Sequence, residues 1–156
     1  NMKKILISMT AILLAFSLTG CVQKNVKGTL GEIMIKVYTG LSKDELPKML
    51  ENMEVTKENV NSFLGLENMD GIEKALASEP GIGSIAHSVV LIRTTKDADI
   101  EKMKTDIKEN VNPRKWICVG VEKEDVIVDS KGDLIILIMV DPKADAQKLH
   151  ESFKNL

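Results

Sequence analysis

The stretch VIVDSKGDLIILIMV, residues 126–140, decides how this chain folds. Two apolar runs, Val126 to Val128 and Leu134 to Val140, flank the polar segment Asp129-Ser130-Lys131-Gly132-Asp133. Apolar runs joined by a short glycine-bearing turn predict a β-hairpin. Upstream, Ile85 to Thr94 contains the continuous run Ser88-Val89-Val90-Leu91-Ile92, the signature of a central strand covered on both faces. Between these segments Lys96 or Asp97 opens a helix, with Asp99 and Glu101 in its first turn where they favour the dipole. Ile100, Met103, Ile107 and Val111 line one face of it, and Asn112-Pro113 stops it. Downstream, Asp141-Pro142 offers a cap followed by proline at the first helical position, and Leu149, Phe153 and Leu156 form the apolar edge of a last helix.

Towards the N-terminus the signals are helical. From Thr29 to Leu41, Leu30, Ile33, Met34, Val37, Tyr38 and Leu41 recur at the spacing of an amphipathic helix. Ser42-Lys43-Asp44-Glu45 has the form of a capping box, and Leu46, Met49, Leu50 and Met53 continue a helical face. Pro47 moves the start of that second helix towards itself, because a proline inside a helix removes a hydrogen bond. Thr56 caps a short turn carrying Val60, Phe63 and Leu64, which Gly65 ends. Gly71 to Ser78 fits helix or strand on its residues alone, and Pro80-Gly81-Ile82-Gly83 breaks whatever precedes it. The expected class is α+β: N-terminal helices, then an antiparallel sheet of about four strands in the order ββαββα, with helices packed on one face.

The 156 residues are 44% hydrophobic, 28% charged and only 3% aromatic, so one modest domain with an aliphatic, Met-supplemented core is expected over residues 29–156. A formal charge of −2 and a pI near 5.8 argue against nucleic acid as a partner. Arginine is confined to Arg93 and Arg114, leaving few bidentate clamps for phosphate.

The first 28 residues read as an address. Met2-Lys3-Lys4 precedes an uncharged run from Ile5 to Leu18, the layout of a secretory signal. As a helix this run would span about 21 Å, short of the roughly 30 Å hydrocarbon core of a bilayer. It ends in Leu18-Thr19-Gly20-Cys21, which resembles a bacterial lipobox, in which the cysteine sulfur receives a diacylglyceryl group. Residues 1–20 are therefore expected to be a lipoprotein signal peptide, Cys21 the lipidated residue, and residues 21–28 a short tether to the extracytoplasmic face of the cell membrane. Two or more acyl chains suffice for stable attachment. Removing the leader leaves 136 residues and, with Lys3 and Lys4 gone, a formal charge of −4. Lys24 and Lys27 lie where they add weak attraction to anionic lipid. Cys118 is then without an intramolecular partner, and its apolar neighbours Trp116, Ile117 and Val119 predict a buried, inert thiol.

At Ala77-Ser78-Glu79-Pro80, Ser84-Ile85-Ala86-His87-Ser88, Asn112 to Val119 and Asp133 to Met139 the chain resembles an uncharacterised family of short lipoproteins of Gram-positive bacteria, which carry a C-terminal domain of unknown function behind a lipobox. The resemblance covers approximately Gly31 to the end. It implies a cell-envelope location and a strand for Gly71 to Ser78, and it brings no catalytic residues with it.

Chemistry-bearing motifs are sparse. His87 and His150 lack metal-motif spacing; His87 on an apolar strand reads as a hydrogen-bonded core or edge residue, and His150 as solvated. Glu122, Glu124, Asp125, Asp129 and Asp133 gather around the hairpin but lack a calcium-loop pattern. Gly81-Ile82-Gly83-Ser84 lacks a phosphate-loop ending, and Ser84 and Ser88 lack the Gly-x-Ser-x-Gly setting of a hydrolase nucleophile. No catalytic residue, cofactor or metal site is assigned. The most distinctive stretch is Asn112 to Val121, where Arg114 and Trp116 are residue types over-represented at binding hot spots. Trp116 either caps the core beneath a connection or, with Arg114, faces a partner. The expected role is a non-catalytic module binding an envelope protein or small ligand; the alternative is a small envelope hydrolase whose site gathers His87 and the hairpin acids.

Overall fold

The computed structural model describes residues 24–156. The leader, Cys21 and the first part of the tether lie outside the described residues. The hairpin is present: β4 (Ile127–Lys131) and β5 (Leu134–Val140) pair antiparallel from Lys131 opposite Leu134 to Ile127 opposite Ile138. Gly132 makes the turn with φ +58°, a left-handed value that glycine adopts without a Cβ penalty. β3 (His87–Thr94) lies against the other side of β5, so β5 is fully buried along its length. β2 (Ile72–Pro80) pairs with β3, so the ambiguous segment is strand from Ile72 to Ser78, with Gly71 a turn residue just before it.

A fifth strand, β1 (Leu50–Glu54), runs antiparallel to β2, from Leu50 opposite Pro80 to Glu54 opposite Leu76. This corrects the helix expected around Met49, Leu50 and Met53. Half of the predicted capping box does form: Glu45 Oε2 accepts from Ser42 N–H at 2.9 Å, and Leu46 N–H reaches Ser42 O at 3.2 Å. One turn is all that follows, because Pro47 has no N–H to propagate it and disfavours the helical region for Leu46. Met49 then takes a positive φ of 57° and turns the chain into β1. The complete capping box is at Thr29 and Glu32, ahead of α1 (Leu30–Tyr38): Thr29 Oγ1 accepts from Glu32 N–H at 3.2 Å and Glu32 Oε2 accepts from Thr29 N–H at 3.0 Å.

The class is α+β, with a five-stranded antiparallel sheet ordered β1-β2-β3-β5-β4. Helices cover both faces of it, where one covered face was expected. Ile135, Leu137 and Met139 of β5, with Val90 and Ile92 of β3, meet Phe63 and Leu64 of α2 (Val60–Leu64) and Met103 and Ile107 of α3 (Ile100–Asn110). The alternate residues Leu134, Ile136 and Ile138, with Val89 and Leu91, meet Ile33 and Val37 of α1 and Leu149 and Phe153 of α4 (Lys143–Lys154). Successive strand residues point to opposite faces, so an unbroken apolar strand stays dry only when both faces are covered. Each fully buried Ile or Leu contributes about 1.5–3 kcal/mol, which makes β3 and β5 the centre of stability.

Two helix boundaries shift from expectation. Asp99, and not Lys96 or Asp97, caps α3, accepting from Lys102 N–H at 3.1 Å. Pro142 occupies the N-cap of α4 without a side-chain bond, so Lys143 is its first helical residue. Gly65 ends α2 with φ +69°, and a Cβ there would stand 2.4 Å from the Asn110 carbonyl carbon, where α3 ends.

Candidate functional site

The loop between α3 and β4 is built around Lys115. Pro113 O accepts from Val121 N–H at 2.9 Å, closing the loop on itself, and Gly83 O accepts from Ile117 N–H at 3.0 Å, fastening it to the β2–β3 connection. Lys115 points inward, hydrogen-bonding Glu79 Oε1 in an ion pair whose two side chains are each only 14% exposed. Its ammonium lies 4.8 Å from the centre of the Phe63 ring and 5.5 Å from that of Trp116. A cation shielded between two ring systems and a carboxylate is held electrostatically as well as by packing.

Around the inward Lys115, Trp116 stays against the core while Arg114, Ile117 and Cys118 face outward. Trp116 is partly buried against the α2–α3 side of the core, as a cap beneath the connection. Ile117 is 69% exposed. Cys118 is exposed as well, with φ +60°, which corrects the buried thiol expected from its apolar neighbours. Those neighbours mimic a strand, but the segment is an irregular loop whose backbone bonds go to Pro113 and Gly83 and not to a strand ladder. Arg114 is exposed and reaches Glu122 Oε1 at 2.5 Å. Met49 and Ile82 join the same surface: Met49 O accepts from Gly81 N–H at 2.9 Å, and both side chains are exposed. Met49, Ile82 and Ile117 thus come from three separate loops to one end of the sheet. The two non-glycine residues with positive φ among those described, Met49 and Cys118, both belong to it.

Elsewhere the structure disperses the polar candidates. His87 is buried on β3, with Nε2 2.9 Å from the Tyr38 hydroxyl, which donates to Ser78 Oγ at 2.9 Å. The phenol has one proton; given to Ser78, it leaves His87 to present Nε2–H to the phenol oxygen. The two rings are stacked with centroids 5.8 Å apart. Burial pushes His87 down to about 4 and pushes Tyr38 above its usual value, so both are neutral at ordinary pH. Ser78 and His87 lie in the interior, which makes this a structural tie between α1, β2 and β3.

Three of the hairpin acids find separate cations. Asp133 pairs with Arg93 at 2.8 Å, Asp125 with Lys143 at 2.9 Å, and Glu122 with Arg114. Asp129 Oδ2 lies 2.7 Å from His150 Nε2, so His150 is partnered and not merely solvated. Partial burial works to raise Asp129, but the hydrogen bonds from His150 and Ser130 N–H outweigh it and hold the carboxyl below its usual value. Among the described residues no three His, Cys, Asp or Glu side chains converge as metal ligands. His87 is turned to Tyr38 and not to the hairpin acids: Asp133 adjoins Leu134 at the far end of β5, and Asp125, at the nearer end, pairs with Lys143.

A groove of about 840 Å³ runs along α3 from Asp99 to Asn110, and Glu67, Asp70, Asp97, Asp99 and Asp106 are among its lining residues. Sequence reasoning missed it because its acids come from three separated segments. Asp97, Asp99 and Asp106 are each held locally, by Thr95 Oγ1, Lys102 N–H and Lys102 Nζ. Likewise, nothing local announced that Met49 would join Ile82 and Ile117, although an isoleucine between two glycines is a signal for an exposed apolar tip. No helix of the described residues is long and apolar enough to cross a membrane. Compared with models of protein families, with curated proteins and with solved structures, the chain matches none of them.

Proposed function

We propose that this protein is a lipoprotein of the bacterial cell envelope, anchored through Cys21 to the extracytoplasmic face of the membrane, that acts by binding a protein or small ligand. The observation that carries the reading is Leu18-Thr19-Gly20-Cys21 at the end of a basic-then-apolar leader. The resemblance to short Gram-positive lipoproteins supports the same address. Binding rather than catalysis is supported by the deployment of the polar groups. His87 and Ser78 are spent on Tyr38, Ser88 is buried out of reach of solvent, and three of the exposed large apolar side chains among the described residues, Met49, Ile82 and Ile117, gather beside Arg114 and Trp116. Exposed apolar clusters rimmed by polar residues mark interaction sites.

Growth with labelled palmitate tests the address: label on the processed protein, lost in Cys21→Ala, is the expected result, and an unlabelled full-length chain in the cytosol overturns it. A photoreactive side chain at Ile117 tests the binding role. It should crosslink one discrete envelope component, and Ile117→Asp combined with Ile82→Asp should abolish that capture while the domain stays folded.

A further inference from the structure

Residues 25–32 are tied to the body of the domain at every step. Asn25 Oδ1 accepts from Asp133 N–H at 3.0 Å, at the tip of the hairpin. Arg93 donates to Val26 O at 2.8 Å and to Gly28 O at 3.0 Å while paired with Asp133. The Thr29 and Glu32 box then starts α1. A Cβ on Gly132 would lie 3.3 Å from Lys24 O and 3.1 Å from Asn25 Cα, so the strap runs directly over the turn. Cys21 precedes Lys24 by three residues. Three Cα steps of 3.8 Å place its Cα within about 11 Å of Lys24 whatever path the chain takes.

We propose that the hairpin-turn end of the sheet is the surface on which the domain seats against lipid headgroups, so that the loops bearing Ile82, Ile117 and Cys118 are held away from the membrane. The inference rests on acylation of Cys21 and adds an orientation to it. A long tether would let the domain tumble; here the link from acyl chains to folded body is shorter than the body itself. β3 runs from Arg93, beneath the strap, to His87, beside the Ile82 loop. The seven steps between its eight residues span roughly 24 Å at 3.4 Å a step. The same end carries the exposed Lys24 and Lys27 on the strap and Lys96 just beyond β3. Acids stand there as well: Asp133 is neutralised by Arg93, Glu151 by Lys154, and Asp70, Asp97 and Asp99 line the groove beside Thr95. With cations and acids both at this end, the chain length chooses the occupant: a bilayer surface, which acyl chains three residues before Lys24 bring against the strap.

The test uses the processed, acylated protein in phosphatidylcholine vesicles with a minority of phosphatidylglycerol and a headgroup-bound energy acceptor. A dye is placed on the native Cys118 thiol or, in a Cys118→Ser background, on Lys27→Cys. Transfer to the bilayer should be several-fold stronger from position 27 than from position 118. Equal transfer, or stronger transfer from 118, overturns the orientation. Transfer between position-27 dyes of neighbouring copies without transfer to lipid assigns that face to a second copy and overturns it too. Mass measurement of the same preparation separates the two levels: acyl chains present with equal transfer sink the orientation alone, and acyl chains absent sink the anchor reading beneath it.

Discussion

His87 shows how a single residue can look functional in sequence and be structural in space. It is buried beside Tyr38 and Ser78, and its imidazole is held neutral down to about pH 4. Above pH 6.5 folded and unfolded chains are both neutral at this residue. As the pH falls below 6.5 the unfolded imidazole takes a proton that the folded one refuses until about pH 4. Stability therefore declines across that window, by about 3 kcal/mol from this residue alone. Denaturant midpoints measured from pH 7 to 4 should fall more steeply for the native chain than for His87→Gln. Lys115 is the opposite case, a lysine that looks solvated in sequence and is shielded in the structure. Lys115→Met should cost about 3 kcal/mol by stranding the Glu79 carboxylate, and adding Glu79→Gln should recover much of the loss, as read from a double-mutant cycle. Cys118→Ser should leave stability within about 0.5 kcal/mol, and the native thiol should react with an aqueous disulfide reagent without unfolding.

At the scale of elements, the strands β3 and β5 and the helices α3 and α4 were legible because their signals are local. Continuous apolar runs bounded by turn residues have few other uses, and a 3.6-residue apolar stripe with acidic caps has only one. β1 was not legible. Leu46, Met49, Leu50 and Met53 carry helical spacing, yet Met49 and Met53 end up substantially exposed on or beside an edge strand. What makes Leu50 to Glu54 a strand is the free edge of β2, tens of residues away in sequence. Gly65 is an element-level requirement: Gly65→Ala meets both a left-handed backbone and the end of α3, and should destabilise by more than about 1 kcal/mol in chemical denaturation. Ile136→Ala, in the middle of β5, should cost about 2–5 kcal/mol by the same measurement.

For the whole molecule, the Met49, Ile82 and Ile117 cluster and the hairpin turn mark opposite ends of the sheet. Tryptophan emission should report the first of these: Trp116 is partly buried, so an aqueous quencher should reach it less than free indole, and occupancy of the Ile117 surface should reduce quenching further. The sequence by itself determined the hairpin, the central strand, the flanking helices and the α+β class. Each of these depends on residue order within a dozen positions, where backbone preference and apolar period act directly. Only the tertiary structure decided that helices cover both faces, that a fifth strand closes the β2 edge, and that Cys118 points outward while Lys115 points inward. Those outcomes follow from which distant groups compete for the same buried space and the same hydrogen bonds, and that competition exists only once the sheet has formed.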